Sequence, residues 1–176
     1  MSTQGITDEF IRVSRHELQQ RLRRIEYCLE KLTLEQVWAR EHEIENSVGN
    51  LVLHLCGNIQ QWIISSVAGA PDNRDRDAEF SRREPVGAGE LASRLRETVE
   101  AADEVLANLT PDELLGKRKI QVYNITVLNA VYHVVEHFGE HTGQIMWATK
   151  RMLGEDLNFY GYLKDASSVD QEDRLP

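Results

Sequence analysis

Apolar residues recur at helical intervals over most of the chain. Phe10, Val13, Leu18, Leu22, Ile25, Leu29 and Leu32 fall one helical turn or so apart, with Arg and Glu between them. They predict a first long helix. Thr33 to Gln36 then has the form of a capping box opening a short turn that includes Val37 and Trp38. A second long helix is expected from near Ser47 to about Val67, ended by Gly69, Ala70 and Pro71. The charged stretch 72–84, with Arg74, Asp75, Arg76 and Asp77 alternating in sign, reads as a mobile linker long enough to cross the molecule.

The cleanest stripe is the third, Leu91, Leu95, Val99, Ala102, Leu106 and Leu109. Thr110, Pro111 and Glu113 restart a short helix by a second capping box with proline at its first position. Residues 117–123 are expected to be a brief extended crossing. A fourth long helix should run from about Thr126 to Leu153, stopped by Gly154. Phe159, Tyr160, Tyr162 and Leu163 then form an expected packed coda. The pattern predicts an all-α fold: one domain over 1–164, followed by a polar, frayed tail over 165–176. No internal repeat interrupts it.

Composition narrows the function classes. The chain has 176 residues, enough to bury a core without staples. Hydrophobic and charged contents of 41% and 28% are those of a soluble globular protein. A net charge of −9 argues against a general nucleic-acid binder. Cys28 and Cys56 stand on different predicted helices without a repeated spacing, so no disulfide framework is expected. Residues 1–10 show no export signal, and the most apolar stretch, 51–70, is broken by His54, Asn58, Gln60, Gln61, Ser65 and Ser66. A cytoplasmic protein with no membrane partner is expected.

The candidate chemistry lies in two polar stripes on apolar helices. At ~100° per residue, Ser47, Asn50, His54, Asn58, Gln61 and Ser65 fall on one side of the second helix. No charged residue occurs between Glu45 and Asp72. A solvated face would carry Lys and Glu, so the row is expected to line a polar cavity inside the fold. On the fourth helix Ala130, His133, His137, His141, Gln144 and Ala148 share a stripe, with Val134, Phe138 and Ile145 beside it.

His137 and His141, one turn apart, can chelate one ion. His54, in the middle of the other stripe, is the candidate third ligand. Three imidazoles would leave a coordination position open, as catalytic sites do. Asn58, His133, Glu140 and Gln144 are placed to hold ring nitrogens or a bound water. Lone histidines are more often surface or satisfied core groups, and His16 and His42 are read that way.

The segment from His133 to Ile145, with His137 and His141 followed by Gly143, Gln144 and Ile145, resembles the C-terminal signature of DinB/YfiT-like metalloproteins. Asn46 to Asn58, including Ser47, Gly49, His54 and Gly57, resembles that family's second-helix motif. The likeness spans roughly Phe10 to Leu163. It implies an up-down-down-up four-helix bundle with a long crossover, dimeric in many members. It also implies one divalent ion, zinc or nickel, on His54, His137 and His141. Characterised relatives of that kind include transferases that activate a low-molecular-weight thiol toward a small-molecule substrate.

Two alternatives stay open. His137-x-x-Glu140-His141 matches a metallopeptidase pattern with Glu140 as general base, which would make the protein a metal-dependent hydrolase. A non-catalytic, metal-stabilised bundle acting in stress response or interaction is the other. Carboxylate-bridged di-iron chemistry needs paired Glu-x-x-His motifs facing inward, which the long helices lack.

Overall fold

Side-chain caps determine where the helices begin. In the computed structural model, which describes residues 3–161, Ser47 accepts from the Asn50 amide while the Asn50 side chain accepts from the Ser47 backbone N–H. That closed box opens α3, Val48–Ile59. Thr33 and Thr110 do the same for two short helices, α2 (Leu34–Trp38) and α6 (Pro111–Leu115). Thr126 caps the last helix, α7 (Val127–Leu153), and Gly154 ends it with φ 68°, a left-handed conformation open to glycine at no steric cost. The remaining helices are α1 (Thr3–Lys31), α4 (Arg76–Ser81) and α5 (Ala88–Ala107).

The protein is mostly helical. Helix α1 packs on α5 and α7, and α3 packs on the same two. Their predicted stripes meet at the centre, where Leu18, Ile25, Leu29, Leu55, Ile59, Leu91, Leu95, Leu106, Phe138 and Ile145 are fully buried. Each such side chain contributes roughly 1.5–3 kcal/mol of burial free energy. Among the described residues no helix is long and apolar enough to cross a membrane.

Three expectations need correction. The second long helix does not stay α-helical: Gln60–Ser65 is a π-helical segment, with the Ser66 amide bonded back to Gln61 O at 3.1 Å. Residues 117–126 are not an extended crossing but a hairpin, β1 (Lys117–Ile120) paired antiparallel with β2 (Tyr123–Thr126), turning through Gln121 at φ 54°. The charged stretch 72–84 is no mobile linker. It forms a strap along α3, contains α4, and buries Glu79.

That strap explains the uncharged row on α3. Asn50 donates to Glu79 O at 2.8 Å and Arg82 O at 3.3 Å, and Ser65 donates to Pro71 O at 3.0 Å. Gln61 donates to Asp72 and accepts from Arg74. Much of the row therefore pairs with a segment lying across it, while His54 and Asn58 line a cavity, so the expected polar cavity covers only part of the row. The coda is split: Phe159 packs edge-on to Tyr27 at 5.3 Å, Tyr160 is exposed, and Tyr162, Leu163 and the tail fall outside the described residues.

Candidate metal centre

Helix α7 presents His133, His137 and His141 on one side because its other stripe, Val134, Phe138 and Ile145, is drawn into the core. His54 comes from α3, 83 residues before His137. The rings of His54, His137 and His141 converge, with centroids 5.0 Å (54–137), 5.0 Å (54–141) and 4.4 Å (137–141) apart. One ligand atom from each lies within 4.8 Å of the others. The Nε2 atoms of His54 and His137 are 2.8 Å apart. Nitrogens ~2.0–2.1 Å from a tetrahedral ion stand roughly 3.4 Å apart. The His54–His137 pair would thus open by about 0.6 Å to admit one.

The outer ring nitrogens are held. Glu79 Oε2 accepts from Nδ1 of His54 at 2.9 Å, and Gln144 Oε1 accepts from Nδ1 of His141 at 2.7 Å. Glu140 lies 3.8 Å from Nδ1 of His137, beyond hydrogen-bond length. A proton on Nδ1 leaves the Nε2 lone pair for the centre, so these partners select the ligating tautomer.

Arg74 completes the arrangement. Its Nε donates to Glu79 Oε1 at 2.8 Å and its Nη2 to Oε2 at 3.0 Å. The Arg74 side chain is only 3% exposed. Burial alone would raise the Glu79 carboxyl, but hydrogen bonds from His54 and Arg74 outweigh it and hold the group below its ordinary range. Gly57 makes the approach possible: a methyl group there would overlap Glu79 Oε1 and crowd Arg74 Nε.

Burial, then the charge of the neighbouring imidazoles, pushes His137 down to about 3. Burial also lowers His141 and His133. Near neutral pH His137 therefore offers a lone pair, as a ligand must. His133 stacks on His137 at 5.4 Å and lies tilted against Trp62 at 4.0 Å between centroids, so it supports the cluster from the side. Asn58 is buried on the wall of an adjoining cavity of about 310 Å³ and, among the described residues, bonds to none of the imidazoles.

All three expected ligands are thus brought together, and Gln144 touches one of them as expected. Glu79 and Arg74 were missed. The signal that points to them is the row on α3, whose buried amides and imidazole demand partners. A strap following directly on that helix is the nearest chain able to supply them.

A profile of the family described as a protein of unknown function, DUF1572, matches residues 5–162. No curated protein matches the sequence. The crystal structure of the conserved protein of locus from Enterococcus faecalis is similar to this chain, with a TM-score of 0.65. The likeness covers 82% of this chain and 97% of that one at 15% identity, which bears on the fold alone.

Proposed function

Because the chain belongs to the DUF1572 family, whose description assigns no activity, function has to be argued from the site, and we propose that His54, His137 and His141 bind one divalent metal ion, zinc or nickel. The observation that carries this reading is the convergence of three imidazoles whose outer nitrogens are tied to Glu79, Gln144 and, more loosely, Glu140. The fold belongs to the same proposal: an up-down-down-up bundle of DinB/YfiT type, with the strap as its long crossover. A homodimer does too, with exposed Leu128 and Tyr132 on α7 available to a second copy.

The activity proposed is a thiol S-transferase reaction. His54, His137 and His141 would hold the ion, which when bound would supply a lowered pKa to an incoming thiol and so make it a better nucleophile. The thiol must come from outside. Burial pushes Cys56 up to about 11 and raises Cys28 as well, so the chain's own sulfurs stay protonated. Glu79 and Gln144 fix the rings, while Trp62 and His133 wall the cavity beside them.

The hydrolytic alternative has less support. Glu140 sits by Nδ1 of His137, the side of the ring turned away from Nε2, and is largely exposed. A general base would have to face the centre.

Elemental analysis of protein purified without a metal-affinity tag tests the centre. One equivalent of metal is expected, lost in His54→Ala and in His137→Ala; full retention in both overturns the site. The activity is tested by thiol consumption against a panel of electrophiles with several thiols. No consumption by metal-loaded protein removes the transferase reading.

A further inference from the structure

The cavity beside the histidines has a charge that the rest of the chain does not. Overall the protein is strongly acidic, at −9. Yet no aspartate or glutamate lines this cavity, whose walls include Arg74, Arg76, Asn129, His133, His137 and Trp62. Three nearby carboxylates are engaged elsewhere. Glu79 is taken by Arg74 and His54, Asp72 accepts from Gln61, and Asp75 caps α4. Glu136 and Glu140 act on His133 from outside the lining.

Arg76 is the cation left over. Its guanidinium lies over the Phe80 ring, 4.9 Å from the centroid, and among the described residues it forms no salt bridge. Phe80 in turn lies against His54, with ring centroids 4.6 Å apart. Phe80 therefore lies between the guanidinium and His54, and places the positive charge one ring away from the histidine cluster. Trp62 and Tyr123, 6.2 Å apart, offer an apolar wall, and the Asn129 amide adds a donor. If the proposed ion is present, its three imidazole ligands cancel none of its charge. Two of those ligands, His54 and His137, share with Arg76 the lining of one cavity of about 310 Å³, the size of a small-molecule site.

From this geometry we infer that the cavity takes a small molecule bearing an anionic group, carboxylate or phosphate, held by Arg76 and Asn129 with its uncharged part against Trp62 and Tyr123. The inference rests on the metal reading and names the substrate class for that site. Arg76 supplies the specificity, because Arg74 is already committed to Glu79.

Calorimetric titration of the metal-loaded protein with succinate, inorganic phosphate and the neutral isostere succinamide tests it. At least one anion is expected to bind and succinamide not to. Arg76→Gln should weaken the anion about tenfold, with Arg76→Lys between the two. Arg76 is exposed, so neither change disturbs the core. Preference for succinate or for phosphate identifies the anionic group. Equal affinity in Arg76→Gln and wild type overturns the proposal, because the ion alone would then be attracting the anion. Metal content is measured on the same samples. Metal-replete protein that ignores both anions overturns this inference alone, whereas protein without metal overturns the centre.

Discussion

Glu79 holds His54 by its outer nitrogen, Oε2 to Nδ1 at 2.9 Å, across 25 residues of sequence. The contact makes a segment that reads as a linker into part of the site. It also orients a ring that would otherwise rotate about its own side-chain bonds.

Removing that carboxylate should loosen the centre and strand a buried cation. Glu79→Ala is expected to lower metal affinity by roughly 10–100-fold, the usual effect of losing a carboxylate behind a ligating histidine. Stability should fall by about 3 kcal/mol, the low end for a broken buried pair, since Arg74 keeps its bond to Gln61. Glu79→Gln retains an acceptor and should cost less on both counts. Chelator competition and urea denaturation read the two effects. Unchanged metal affinity in Glu79→Ala would falsify the role assigned to this residue.

Gly57 should be intolerant for a reason unrelated to helix propensity. On propensity alone, alanine would stabilise the interior of α3 by about 1 kcal/mol. The added methyl meets Glu79 and Arg74, however, and must push the strap outward. Gly57→Ala is therefore expected to weaken metal binding in the same direction as Glu79→Ala. Tighter binding, or a raised Tm with binding intact, would show that the strap yields freely.

Acid should destabilise the metal-free protein through His137. Its folded-state pKa of about 3 lies below the ordinary value of 6.5, so the unfolded chain takes up a proton first as pH falls. Stability attached to this group is complete above about 6.5 and is lost progressively from there towards 3. Burial lowers His141 in the same sense. Thermal melts between pH 7 and pH 4 should show a steeper fall in Tm for wild type than for His137→Phe. Parallel curves for the two proteins would contradict the assignment.

His133 is expected to be dispensable for the ion. It sits between Trp62 and His137 and is not one of the three converging imidazoles. His133→Ala should keep one equivalent of metal while changing the emission of Trp62, whose ring lies 4.0 Å away. Loss of metal would make His133 a ligand in place of one of the other three.

Local pattern was enough to find most of the elements. The stripes of α1, α5 and α7 bury their apolar side as periodicity requires, and Thr33, Ser47, Thr110, Thr126 and Gly154 mark helix ends through their own backbone chemistry. Spacing on one helix also paired His137 with His141, because residues one turn apart must share a face. Both kinds of information act over a few residues and need no knowledge of the rest of the chain. What could not be read that way is which distant groups meet. Arg74 and Glu79 have the alternating charge of a solvated linker, and only when α3 lies beneath them do they neutralise each other and close on His54. The cavity's lack of carboxylates has the same origin. It is settled by packing between segments far apart in sequence, where burial and the need to pair every polar atom outweigh local preference.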